Sequence, residues 1–318
     1  MGATHRVIPI FIPQKACPYR CTYCNQFAIA GQNNIPSPEE AEAIIQSHLH
    51  TMPAHCEKRI AFFGGSFTGM PIKEQTEYLA VAKKYIDSGA VSAIQLSTRP
   101  DFINEEILRN LKFYGVQLIE LGAQSLDDEI LIKVNRGHTA SQVREASQLI
   151  LHHGFELGLQ MMIGLPGDTR EKAIATAHEI VRLGATYTRI YPTIVVEHTL
   201  LATQYANGSY QPLSLDKAVD WCKDIYPYFT DHHVTVLRVG LHPSEELLNG
   251  TGYLAGPFHV SFKELVLTAI WHDKIQEIIH NIGTDEFAME VPASEINYAV
   301  GYQSTNRKRF PKVTFIQI

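Results

Sequence analysis

The sequence predicts an α/β protein built as a partial (β/α)6 TIM-type barrel with a C-terminal α+β extension. Three observations carry that reading. Short apolar β-type runs alternate with amphipathic stretches as far as about residue 191, the pattern of parallel strands joined by crossover helices. Gly89, Gly115, Gly154 and Gly184 each stand just ahead of a strand, where a helix would end. Beyond Pro192 the alternation fades, which marks the extension. A doubly wound sheet yields the same string of elements, and both folds place their chemistry in the loops after the strand C-termini.

In chain order, the six strands are Val7 to Ile12, Arg59 to Phe63, Ala93 to Ser97, Val116 to Leu121, Phe155 to Ile163 and Tyr187 to Tyr191. Helix starts lie between them. Ser37-Pro38-Glu39-Glu40 joins an N-cap serine to proline at the first helical position and a capping-box glutamate, and Asp168-Thr169-Arg170-Glu171 repeats the pattern. The later chain is expected to hold a helix near Leu215 to Phe229, a strand Val234 to Val239, a turn-rich stretch Gly250 to Pro257, a helix near Phe262 to Ile279, and strands at Phe287 to Val291 and Val313 to Ile318. This divides the chain into a core over residues 1–210 and an extension over 211–318 packed on it.

The 318 residues are 45% hydrophobic and 19% charged, enough for one large core, and no apolar run approaches the length of a bilayer span. The first residues lack the apolar core of a signal peptide, so the expected compartment is the cytoplasm. A formal net charge of −6 gives no broad basic field for nucleic acid. Of five cysteines, three fall within eight residues while Cys56 and Cys222 stand alone, a distribution that suits metal ligation better than a disulfide framework.

The first strand runs into Gln14-Lys15-Ala16-Cys17-Pro18-Tyr19-Arg20-Cys21-Thr22-Tyr23-Cys24-Asn25, a C-x3-C-x2-C loop. A 4Fe-4S cube usually takes four thiolates. Three from one loop leave one iron for a chelating small molecule. A zinc site completed by His5 or His55 fits the same three thiols. The second strand ends in Gly64-Gly65-Ser66, where a backbone can approach a ligand closely. The fourth ends in Gly122-Ala123-Gln124-Ser125, with Arg136-Gly137-His138 one short helix later; Gln124 can bond a ribose hydroxyl and Arg136 can grip a carboxylate.

Taken together, the cysteine loop and these strand ends resemble the radical S-adenosylmethionine (SAM) superfamily. The resemblance implies that Cys17, Cys21 and Cys24 bind a 4Fe-4S cluster and that SAM occupies the open iron. It further implies roles for Tyr23 beside the adenine, Gly64 and Gly65 at the ammonium, with Ser66 next to them, and Gln124 and Arg136 at the ribose and carboxylate. Ser97 and Gln160 stand where related enzymes often carry an acidic residue, and are candidates for the sulfonium or ribose.

The segments Ser97-Thr98-Arg99-Pro100-Asp101, Glu120 to Ser125, Arg136 to Thr139, Arg189 to Thr193, Thr199-Leu200 and Gly208-Ser209-Tyr210 are similar to the radical domain of the Elongator catalytic subunit family, in a short form without an acetyltransferase domain. That similarity implies an enzyme that cleaves SAM to a 5′-deoxyadenosyl radical with an external one-electron reductant, with transfer RNA first among the substrates. The alternatives are a small-metabolite substrate, or a cluster- or zinc-containing binding protein without turnover. His242 and His259 are loop histidines that could donate a proton, and Asn306-Arg307-Lys308-Arg309 with Lys312 could meet phosphates; a hydrogen-bonded turn and a solvated charged tail are the plainer readings.

Overall fold

The computed structural model describes residues 6–13, 15–26, 34–53, 55–241 and 245–318. Six strands appear in the expected places: β1 (Arg6–Ile12), β2 (Lys58–Gly64), β3 (Ala93–Thr98), β4 (Val116–Gln124), β5 (Glu156–Ile163) and β6 (Tyr187–Pro192). The chain then forms β7 (Val195–Val196) and β8 (Thr235–Val239). The main sheet has seven strands in the order β1-β2-β3-β4-β5-β6-β8, and all its pairs are parallel. This order chooses between the two windings that the sequence left open. A doubly wound sheet reverses its strand order at a switch point, whereas these strands follow one another as in a barrel and curl into a half-barrel.

The count of six is corrected to seven. The strand expected at Val234 to Val239 in the extension is β8, paired with β6 through Thr188–Val236 and Arg189–Arg238. Sequence hid this membership because the crossover from β6 is long, including β7, a short helix and the helix over Leu215–Asp231.

The crossover helices are α1 (Pro38–Thr51), α2 (Ile72–Asp87), α3 (Glu105–Phe113), α4 (Asp128–Lys133), α5 (Ala140–His152), α6 (Arg170–Arg182), α7 (Leu200–Ala206) and α8 (Leu215–Asp231). The capping box of α1 forms as expected: the Glu40 amide donates to Ser37 Oγ (3.3 Å) and the Ser37 amide donates to Glu40 Oε2 (2.7 Å). At α6 the cap is Thr169, which accepts from the Lys172 amide at 3.3 Å. The expected Asp168 instead turns back to accept from the Gly164 amide at 2.8 Å, because the loop after β5 leaves that donor otherwise unpaired.

One face of the sheet is apolar. Ile8, Ile10, Ile60, Phe62, Ile94, Leu96, Ile119, Leu121, Leu159 and Ile190 are at most 1% exposed and pack into the main core under the helices. A parallel sheet covered on both faces reads as a continuous apolar run. Here the alternate positions hold Ser97, Glu120, Gln160 and Arg189, so the concave face of the half-barrel is polar.

The main core runs from Ile8 through Ala218, Cys222, Ile225 and Phe229 of α8 to Phe262 and Val266. After a short helix α9 (Glu245–Leu248) and β9 (Tyr253–Ala255), which pairs with β7, the long helix α10 (Phe262–Ile282) leads into a second apolar cluster. Trp271 and Ile275 of α10 meet Met289 and Val291 of β10 (Phe287–Val291) and Val313 of β11 (Val313–Gln317).

Phe229 is fully buried between α8 and the sheet. Phe229→Ala is expected to cost about 3–5 kcal/mol in urea unfolding; a loss below about 1 kcal/mol would show that α8 is not part of the core.

Candidate functional site

The cysteine loop follows β1 and is held from both sides of the mouth of the half-barrel. Thr22 is its central tie: its amide donates to the Val134 carbonyl at 3.0 Å, and its carbonyl accepts from the Leu201 amide at 2.8 Å. Asn135 Nδ2 donates to the Arg20 carbonyl (3.0 Å), Asn25 Nδ2 to the Glu197 carbonyl (3.2 Å) and Gln26 Nε2 to the Gly64 carbonyl (3.0 Å). Tyr19 lies against Gly137, where any Cβ would fall 2.3 Å from the ring. The loop's path is thus set by β2, the β4–α5 connection and the start of α7.

Cys21 is buried and Cys17 and Cys24 are half-buried, all three as free thiols. Burial pushes the Cys17 thiol up, opposed by the Ser66 hydroxyl and the Arg136 charge. Burial, then the neighbouring Cys21 and Cys17, push Cys24 up to about 12. Binding an iron–sulfur cluster requires thiolates, so at Cys17 and Cys24 the metal would have to displace a proton that burial favours. Among the described residues no three cysteine, histidine, aspartate or glutamate side chains gather as tightly as one metal ion requires. His55 is exposed, and His5 lies outside the described residues.

The turn after β2 fits the β1 end closely. Gly64 has φ +110°, and a Cβ there would sit 2.6 Å from the Ile12 carbonyl oxygen; only glycine permits both. The Gly65 amide then donates to Ile12 O (2.7 Å) and the Ser66 amide to Lys15 O (3.1 Å), which fixes the glycine pair beside the cysteine loop.

At the end of β4 the register with β5 slips between Gly122 and Gln124, and Gln124 takes φ +67°. This bulge carries the strand past its expected end at Leu121 and redirects Gln124. Arg136 is 7% exposed and donates to the Gly122 carbonyl (2.6 Å) and to Cys21 Sγ (3.5 Å). Its Nε has no partner, and no carboxylate pairs with it among the described residues. A buried guanidinium without a counter-charge is costly. Three thiolates beside it, or a ligand carboxylate, would supply the missing negative charge, so the donor set fits an iron–sulfur cluster with bound SAM.

The remaining two site candidates also meet. Gln160 Nε2 donates to Ser97 Oγ (3.1 Å) and to Glu120 Oε2 (3.2 Å). Glu120 is 1% exposed and accepts from Arg189 Nε (2.5 Å) and Nη2 (3.0 Å). The acidic group missing at positions 97 and 160 is therefore present one strand over, already paired with a cation. In the sequence Glu120 and Arg189 stand out only as members of the segments of resemblance. The polar alternation of Tyr187-Thr188-Arg189-Ile190-Tyr191 was the available signal. Tyr23 packs partly buried against Ile130, Val134 and Leu165, the last in the loop after β5.

Beside that loop lies a cleft of about 490 Å³ lined by Gly164, Leu165, Asp168, Gln204, Tyr210 and Trp221, among others. Tyr210 Oη donates to the Gly164 carbonyl at 2.7 Å. Burial pushes Asp168 up to about 7, against the Gly164 and Thr169 amides that favour its charge.

Elsewhere the plainer structure is found. His259 Nδ1 accepts from the Ser261 amide (3.0 Å) and its ring meets Tyr302 edge-on. His242 lies outside the described residues. Arg307, Lys308 and Arg309 are exposed, and Lys312 pairs with Asp285 at 3.0 Å. Cys222 is fully buried in the core, and Cys56 Sγ donates to the Pro53 carbonyl at 3.2 Å.

Residues 11–180 match the model of the radical SAM superfamily, and residues 185–279 match a radical SAM C-terminal domain. A tRNA uridine(34) acetyltransferase of Dehalococcoides mccartyi is 27% identical over 245 residues, 65% of this chain and 53% of that protein. The chain thus spans about half the length of this relative. The heme chaperone HemW of Lactococcus lactis is 25% identical over 76% of this chain and 68% of its own. Among solved structures, the archaeal Methanocaldococcus infernus Elp3 with an N-terminal deletion superposes with a TM-score of 0.64 at 20% identity, covering 88% of this chain and 64% of that one.

Two outcomes are expected from this geometry. Glu120→Gln leaves Arg189 buried without its counter-charge and should cost about 3–5 kcal/mol in chemical unfolding; an unchanged midpoint would refute the pairing. Asp168 binds its proton more tightly folded than unfolded between its ordinary value of 3.8 and about 7. Stability should therefore fall as pH rises through that window and level off above it. Asp168→Asn should flatten this slope in urea midpoints taken across the window, and an undiminished slope would assign it to other groups.

Proposed function

The chain belongs to the radical SAM superfamily, and from that premise we propose that it is an enzyme that cleaves SAM reductively and acts on transfer RNA. The observation that carries the reading is the buried Arg136, unpaired by any carboxylate among the described residues, against Cys21 of a three-cysteine loop at the mouth of a half-barrel. When bound, the cluster supplies the electron, delivered by an external one-electron reductant, that divides SAM into methionine and a 5′-deoxyadenosyl radical.

The protein's own residues would do the rest. Cys17, Cys21 and Cys24 would hold three irons, on a loop whose ends are tied by Thr22, Asn25 and Gln26. Arg136 offers its free Nε to a carboxylate, and the second lone pair of the Gly64 carbonyl, with that of Gly65, suits an ammonium group. Ser66 holds the glycine turn to Lys15 and opposes the burial that keeps Cys17 protonated. Gln124, redirected by the bulge, would bond ribose hydroxyls. Tyr23 presents an apolar ring beside Leu165, a surface for adenine.

Gln160 and Ser97 are joined to Glu120, so their part would be to position the polar floor beneath the ribose or sulfonium. Glu120, held by Arg189 through both oxygens, would place a carboxylate beneath a cationic cofactor. The polar concave face is suited to a hydrophilic substrate. The transfer RNA assignment is supported by the tRNA uridine(34) acetyltransferase relative.

The test is anaerobic reconstitution with iron and sulfide, then dithionite and SAM. The expected results are brown absorbance and 5′-deoxyadenosine by mass spectrometry, both abolished in Cys17→Ala, Cys21→Ala and Cys24→Ala. A colourless zinc protein, or a triple variant that still cleaves SAM, would refute the proposal.

A further inference from the structure

The concave face carries more positive charge than the SAM reading uses. Arg189 and Arg238 are register partners on β6 and β8, so both project from the face that holds Glu120 and Gln160. Glu120 engages Arg189 through both oxygens. For Arg238, half-buried one strand further on, no hydrogen bond or ion pair is found among the described residues, and the same is true of Lys263 in the first turn of α10. Burial lowers the proton affinity of both; Arg189 opposes the charge on Arg238, and Arg238 opposes that on Lys263. Arg189 and Arg238 are thus neighbours across the β6–β8 pairing, and among the described residues Glu120 is the carboxylate bonded to this group.

The backbone adds to this field. A Cβ on Gly240, which follows β8, would fall 2.9 Å from Phe262 Cβ, so the end of the seventh strand abuts the start of α10. That helix has 21 residues, and Ser261 at its N-cap makes no side-chain capping bond. The Phe262 amide donates to the His259 carbonyl at 3.1 Å, which leaves the Lys263 and Glu264 amides at the positive end of the dipole for a ligand. Tyr191, two residues beyond Arg189 on β6 and hence on the same face, contributes a hydroxyl.

Retaining two half-buried cations with no counter-ion among the described residues is unfavourable unless something anionic joins them. A planar carboxylate is satisfied by one guanidinium fork. Arg238, Lys263, a hydroxyl and a helix N-terminus approach from different elements and match a tetrahedral oxyanion instead. We propose that Arg238, Lys263, Tyr191 and the start of α10 form a phosphate-binding subsite for the substrate at the β8 edge of the half-barrel. The inference rests on the proposed radical SAM enzyme for its setting and narrows that enzyme's substrate to one bearing a phosphate group.

The test uses the cluster-reconstituted protein under anaerobic conditions, with inorganic phosphate titrated by calorimetry. Arg238→Gln and Lys263→Gln should each weaken phosphate binding about tenfold or more, while cluster absorbance and SAM affinity stay unchanged. Equal phosphate affinity in both variants and the wild type, or no binding by the wild type at millimolar phosphate, overturns the proposal. If a variant does not fold, phosphate protection of Lys263 against acylation in the wild type, read by mass spectrometry, replaces it; absent protection overturns the proposal.

Adenosine monophosphate and a short single-stranded RNA separate the sources. Tighter binding by RNA that is lost in both variants supports a backbone phosphate, equal binding supports a free nucleotide, and binding by neither overturns the subsite. Because these readings are affinities, a protein that binds phosphate yet forms no deoxyadenosine would refute the radical reading alone.

Discussion

Seven parallel strands laid down in chain order place every strand C-terminus on one rim, and that constraint governs the rest of the molecule. Parallel strands cannot be joined by tight turns, so each connection must cross behind the sheet as a helix and re-enter from the opposite end. The helices therefore occupy the convex face, where Ile8, Ile60, Ile94, Ile119 and Ile190 meet them, and the loops that follow the strands converge at the mouth. The cysteine loop, the glycine turn, the β4 bulge and the loop after β5 share a site because of this arrangement, although 147 residues separate Cys17 from Gly164.

The site is built by cross-loop ties more than by any one motif. Thr22 gives its amide to one loop and its carbonyl to another, so the cysteines cannot shift without breaking hydrogen bonds to the β4–α5 connection and to α7. Arg136 does the same with charge, joining a β4 carbonyl to Cys21. A buried, partly unsatisfied guanidinium is unfavourable alone, and burial disfavours the thiolates of Cys17 and Cys24. A ligand carrying negative charge relieves the first, which is why the bare site is best understood as prepared for a group it does not itself supply.

The polar floor follows a second electrostatic logic. Glu120 sits under the mouth held by Arg189 and Gln160, and provides the anion that the residues at positions 97 and 160 lack. Toward β8 the balance reverses, with Arg238 and Lys263 uncompensated among the described residues. One concave surface thus passes from a paired carboxylate and guanidinium beneath the mouth to a positive edge suited to an anionic substrate.

The sequence by itself determined the strand and helix periodicity, the α1 cap and the three-cysteine spacing, because these depend on residues close together along the chain. Local signals also located Gly64, Gly65 and Gln124 at strand ends, and Arg136 one short helix beyond the fourth. Three things needed the tertiary structure. Barrel against doubly wound sheet depends on strand order, which no short-range pattern encodes. The membership of Thr235–Val239 in the sheet depends on a pairing with β6 across a long crossover. The Ser97–Gln160–Glu120–Arg189 network spans four strands, and its members are brought within hydrogen-bond reach only by parallel register. Burial decided the last of these, since an ion pair that would count for little at a surface acquires its meaning inside a half-barrel.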